Sequence, residues 1–244
     1  MVVRDDPAHR PRKLDTLCNE TIGFISPFRN SVSFRWCFLV TVLYTSASSM
    51  PQYFIQYYLK DVVLVEFHSF SLFSHTVSTD PQEAAGYYFM FQLVVSTLSS
   101  LVGGSLSDRF GRLRVVCVGF TTAVASFVVL GAAPPNFLAA VGSSVLLGVA
   151  TGLTQPALWA MTVDSLPDPV GNSGRDMAVY WLNTLPPQLL LPEVAGAMLA
   201  AFPKAERARG YICLWAFAAF FALVALACLS RISKPKSRHP QPLD

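Results

Sequence analysis

The sequence predicts an all-α, polytopic membrane protein with six transmembrane helices, and three observations carry that reading. Apolar residues make up 52% of the chain and charged residues only 14%, against about 25% charged in soluble domains. Long stretches without a charged side chain recur: Tyr87–Leu106 is 20 residues and Val115–Ala133 is 19, each enough to cross a hydrocarbon core of about 30 Å as a helix. Between those two runs the charges crowd together as Asp108, Arg109, Arg112 and Arg114, the pattern of a tight turn at a membrane surface. Such spacing describes an integral protein rather than one held by a single anchor.

The first predicted span, Trp36–Leu59, contains Pro51 and the polar-aromatic tract Gln52 to Tyr58. Lys60–Ala85 follows as a long loop with some apolar character (Phe67, Phe70, Leu72, Phe73), either extending the first helix or lying at the interface. The second and third spans flank the charged turn. The fourth, Phe137–Met161, has Gly148 and Gly152 spaced for close helix approach and Pro156 as a bend. The fifth, Met177–Phe202, carries Pro186, Pro187, Pro192 and Glu193, and the sixth, Tyr211–Leu229, is plain and apolar. The chain divides into a basic segment 1–34, a helical bundle 35–230 and a tail 231–244. The first apolar run starts too late for an ordinary cleavable signal.

Several chemistries are disfavoured. The five cysteines, Cys18, Cys37, Cys117, Cys213 and Cys228, are scattered with no C-x-x-C spacing, so neither a disulfide framework nor a metal site is expected. All four histidines (His9, His68, His75, His239) lie outside the spans, which leaves no imidazole base for membrane catalysis. Gly142-Ser143-Ser144 lacks an intramembrane histidine to activate either serine. No phosphate-binding glycine loop occurs. An enzyme, a cofactor and a nucleic-acid partner are therefore not expected; the net charge of +3 is small, and the basic residues cluster at helix ends.

The stretch GGSLSDRFGRLR, Gly103 to Arg114, resembles the signature loop of the major facilitator superfamily, G-x-x-x-D/E-R/K-x-G-x-R/K-R/K. Gly104, Asp108, Arg109, Gly111 and Arg114 match it, and Leu113 departs from it where the family usually has a base. The resemblance implies secondary transport of a small solute by alternating access, with substrate held between two six-helix halves. This chain supplies one half and resembles the carboxy-terminal one: residues 1–34 look like the loop joining the halves, and the tail looks like a true end. Two weaker likenesses agree, Tyr53 to Asp61 with a seventh helix and Gly174 to Pro186 with the start of an eleventh. A second six-helix half or partner chain is then implied. The competing reading is a non-transporting or truncated half that binds or scaffolds another membrane protein.

The same resemblance implies a gating role for Gly104, Asp108, Arg109, Gly111, Arg112 and Arg114. Asp108 can offer a carboxylate to the amino terminus of a helix in the facing half. The arginines can pair with acidic groups or lipid phosphates. Gly104 permits close helix approach and Gly111 a tight turn. The alternative is a topology anchor alone.

For substrate contact the candidates are Gln52, Tyr53, Gln56 and Tyr57, which share one helical face. They form either a hydrogen-bonding wall or an aromatic belt near the interface. Asn183 and Gln188 either line a cavity or satisfy backbone freed by the prolines. Glu193 is the one acid well inside a predicted span; it either carries a coupling proton or sits at a wet break beside Pro192. Trp159 and Trp181 read as packing or interface residues, and Arg175 and Asp176 as ordinary helix-start residues.

Orientation follows from basic residues. Arg4, Arg10, Arg12, Lys13, Arg29 and Arg35, the signature loop, and Arg231, Lys234, Lys236 and Arg238 fall on one side of a six-span chain, which puts both termini in the cytoplasm. Asp61, Glu66, Asp80 and Glu83 fall opposite, with the uncharged turn at Pro134-Pro135. Lys204, Arg207 and Arg209 disagree, opposed only by Glu206.

Overall fold

The first helix, α1 (Val32–Tyr58), starts at Ser31, whose extended backbone and side-chain oxygen, accepting the Phe34 N–H at 3.1 Å, make an N-cap. The structure is a computed structural model, and it describes residues 27–29, 31–73, 75–133, 136–166, 173–203 and 206–232. Most of the basic amino-terminal segment, Pro134-Pro135, Lys204 and the tail from residue 233 lie outside the described residues.

α1 contains Pro51 and many hydroxyls, which donate back to its own carbonyls: Thr41 to Cys37, Ser46 to Val42, Ser49 to Thr45. That arrangement satisfies polar groups where water is scarce. The helix continues through a π turn at Leu59–Val63 and one α turn at Leu64–Phe67. A two-stranded antiparallel hairpin follows, β1 (Phe70–Leu72) with β2 (His75–Ser78). The expected loop therefore begins as an extension of the first helix. Its strands were not anticipated, because three or four residues carry too little alternation to register.

α2 (Pro81–Phe110) begins six residues before the uncharged run. The Asp80 carboxylate accepts the Gln82 N–H at 2.9 Å, and Pro81 needs no partner for its nitrogen in the first turn. Counting uncharged residues overlooks such starts, since good caps are polar. α3 (Arg112–Ala132) and α4 (Phe137–Ser165) follow, the latter capped by Asn136, whose Oδ1 accepts the Ala139 N–H at 2.7 Å. α4 runs on through Pro156. The fifth predicted span is broken into α5 (Ser173–Trp181), a 3₁₀ turn at Leu182–Thr184, and α6 (Leu185–Ala200). Pro186 and Pro187 lack N–H groups and sit in the first turn of α6, where none is needed. α7 (Arg207–Leu229) is the last.

Among the described residues, α2, α3, α4 and α7 are long and apolar enough to cross a membrane. The first and fifth predicted spans are helical where expected, but α1 is rich in hydroxyl and amide groups, and α6 has only 16 residues.

α2 and α4 pack against each other most extensively, followed by α3 with α4, then α3 and α1 with α7. The α2–α4 seam is backbone on backbone. A Cβ on Gly148 would lie 2.7 Å from the Gln92 carbonyl oxygen, and one on Gly103 would lie 2.9 Å from that of Gly152. Large side chains fill the rest of the core: Tyr44 of α1 stacks on Phe120 of α3 at 4.7 Å, and Tyr58 meets Trp215 of α7 edge-on at 5.8 Å. The Ser126 hydroxyl donates to the Ser143 carbonyl at 2.8 Å, tying α3 to α4.

Two glycines should therefore respond differently to a methyl group. Gly148→Ala must push α2 off α4 and should cost about 1–3 kcal/mol, read as a lower unfolding midpoint in detergent. Gly131→Ala, whose Cβ would meet only the Trp215 Cβ at 3.7 Å, should leave the midpoint unchanged or raise it. Equal midpoints for the two variants would rule out a backbone seam.

Candidate functional site

The charged turn sits where α2 stops and α3 starts with a single residue between them. That residue, Gly111, has φ +90, a region that a Cβ makes unfavourable. Its N–H donates to the Ser107 carbonyl at 3.0 Å, and its own carbonyl accepts from Arg114 N–H at 3.1 Å. The turn is therefore closed on both sides by backbone bonds.

The four charges of the turn divide into two kinds. Arg112 is held: its guanidinium pairs with the Asp164 carboxylate at the end of α4 and donates to the Ala160 carbonyl at 3.2 Å. Asp108, Arg109 and Arg114 are exposed and have no partner among the described residues. Gly104 is half-buried, and a Cβ there would meet nothing within 4 Å. Within this bundle, then, no helix uses the close approach that Gly104 allows. The turn is anchored at Arg112 and presents its remaining charges outward.

Asp164 was missed from the sequence. Its signal was available, an acid terminating a long apolar run, but its partner lies 52 positions away. At the same end of the bundle the Ser31 hydroxyl donates to the Ser165 carbonyl at 3.0 Å, so the start of α1 and the end of α4 meet beside the turn. The opposite end holds the hairpin, where Phe70 packs on Phe137 with ring centres 5.7 Å apart.

The candidate solute contacts of α1 do share a face, as their spacing predicts. Gln52, Gln56 and Tyr57 are exposed and Tyr53 is half-buried, while Phe54, Ile55 and Tyr58 are buried behind them. On α6, Gln188 and Glu193 are exposed. Asn183 is set apart: it is 2% exposed and its Nδ2 donates to the Tyr180 carbonyl, a backbone-satisfying role. The Thr41 and Tyr180 hydroxyls, 2.8 Å apart, set α1 and α5 at one depth. Glu193 lies 13 positions beyond Tyr180, past the 3₁₀ turn at Leu182–Thr184.

Gln155, exposed in the middle of α4 one residue before Pro156, was also missed. A lone amide in an otherwise apolar run gives no periodic signal. Trp159 and Trp181 come together edge-on at 5.1 Å, each partly exposed. Arg175 and Asp176 are 3.4 Å apart, with Asp176 buried in the first turn of α5. His68 and His75 are exposed, and among the described residues no group of His, Cys, Asp and Glu is placed to hold a metal ion.

Uncovered amide and carboxylate groups thus gather on α1, α4 and α6. The surface of α7 is apolar, with Ile212, Phe220 and Leu223 outward. Among the described residues, four helices long and apolar enough to cross a membrane, two of them joined by a charged turn, define a multi-pass membrane protein. The model of the Major Facilitator Superfamily matches residues 37–244, and the chain belongs to that family. Its members are transporters, not enzymes. No curated protein matches the chain.

The Arg112–Asp164 pair makes a quantitative prediction. Both side chains are about one-third exposed, so a double-mutant cycle of Arg112→Gln and Asp164→Asn should give a coupling of about 0.5–1 kcal/mol in detergent unfolding. Strict additivity of the two variants would mean the turn is not anchored there.

Proposed function

We propose that this chain is one six-helix half of a secondary active transporter, resembling the carboxy-terminal half, and that it moves a small polar solute by alternating access. The observation that carries the reading is the turn at Gly111: one arginine is fixed to α4, while Asp108 and Arg109 are exposed and have no partner among the described residues. A carboxylate held rigidly at a helix end is suited to the N–H groups and positive dipole end of a helix in a facing half. Arg109 and Arg114 are suited to acidic groups or lipid phosphates on the same surface. The contact closes one side of the carrier and parts when the halves rock.

The solute path runs along Gln52, Tyr53, Gln56, Tyr57 and Gln188. An amide facing hydrocarbon is expensive, so this surface faces a wet space between halves. Glu193, exposed on α6, is the coupling carboxylate, taking up and releasing a proton as access alternates. Asn183 is removed from the path, because its amide is engaged with the Tyr180 carbonyl. Both termini lie in the cytoplasm, with the turn on that side.

In the assembled carrier, Asp108→Asn should reduce uptake by tenfold or more, on the order of one lost charge-assisted contact, without lowering its amount in the membrane. Uptake at the normal rate would reduce the turn to a topology anchor. The sequon Asn19-Glu20-Thr21 should stay unglycosylated in a eukaryotic host; a glycan there would invert the topology.

A further inference from the structure

At the hairpin end, α1 does not finish as an ordinary helix. The Leu64 N–H reaches back five residues to the Leu59 carbonyl, closing a π turn over Leu59–Val63. In an uninterrupted α-helix Asp61, four residues after Tyr57, would continue the exposed column of Tyr53 and Tyr57. In the structure Asp61 lies inside the π turn. There its Oδ2 accepts from Arg207 Nη1 at 2.6 Å and from the Tyr211 hydroxyl at 3.1 Å, both on the first turns of α7. The carboxylate is mostly covered, with 19% of its side chain exposed. Tyr211 is itself buried and packs edge-on against Tyr58, with ring centres 5.5 Å apart.

We propose that Asp61, Arg207 and Tyr211 form a clamp that fixes the far end of α1 to α7 and so sets the direction in which the polar face of α1 points. This rests on the reading that Gln52, Gln56 and Tyr57 line the solute path; the three clamp residues are positioning residues for it. A π turn alone is one geometry among several for residues 59–67, because the flanking α segments can rewind around it. Two donors from a single helix converging on one oxygen select one rotation. The clamp also accounts for basic residues on the side where few are expected: Arg207 is paired with Asp61, and Arg209 with Glu206 at 3.4 Å.

The test is amide hydrogen exchange on the full chain in lipid nanodiscs, which reads local opening segment by segment. Asp61→Asn and Arg207→Gln should each speed exchange across residues 59–67 by about tenfold, the effect of losing a charge-assisted bond. Tyr211→Phe, the mildest change, should speed it a few-fold and serves if the charge variants fold poorly. Exchange at the α2–α4 seam should not change. The exchanged pair, Asp61→Arg with Arg207→Asp, should return 59–67 towards the original rate. Unaltered exchange at 59–67 in all three single variants would overturn the clamp, as would equal acceleration at the seam or failure of the exchanged pair to restore protection. The readout needs no transport, so it is independent of the Asp108→Asn uptake experiment. An inert Asp108 would remove the gate and leave the clamp standing.

Discussion

The arrangement depends on the contact between α2 and α4 at the level of the backbone. Gly148, Gly152 and Gly103 let carbonyls of one helix approach the other at distances no side chain permits. In hydrocarbon there is no hydrophobic force to pull two apolar helices together, so close dispersion contact has to do it. Once α2 is seated, its end falls beside the end of α4, and Arg112 reaches Asp164 and the Ala160 carbonyl. The charged turn is thus positioned by the helix seam together with its own backbone bonds and Arg112.

Seating α2 on α4 also separates the two surfaces of the bundle. α3 and α7 fill the back with Phe120, Phe127 and Trp215 and leave apolar side chains outward. α1, α4 and α6 leave Gln52, Gln56, Gln155, Gln188 and Glu193 uncovered. Facing amides and a carboxylate to lipid is costly, and on α6 they stand beside exposed Leu189 and Leu190.

The two ends are held by different means. At one, a glycine turn is anchored by the Arg112–Asp164 pair, and its other charges have no partner among the described residues. At the other, a π turn places one carboxylate under two donors from α7. Reading charges by position alone set Lys204, Arg207 and Arg209 against Glu206 only. In the folded chain Arg207 is paired with Asp61.

Much was legible in the residues themselves. Charge-free runs announced α2, α3, α4 and α7, since hydrocarbon imposes length and composition directly on the chain. The prolines at 186 and 187 marked an irregular fifth segment, and the spacing of Gln52, Tyr53, Gln56 and Tyr57 put them on one face. The motif Gly104 to Arg114 led to the family, and Gly111 proved to need its positive φ. What the residues could not reveal was pairing across distance. Asp164 with Arg112, Asp61 with Arg207 and Tyr211, Thr41 with Tyr180, and the withdrawal of Asn183 from the exposed face all join or separate positions by helix packing. Helical period and solvent preference are local properties carried by each stretch of chain, whereas the partner of a charge is set by which backbones can approach, and only the packed bundle decides that.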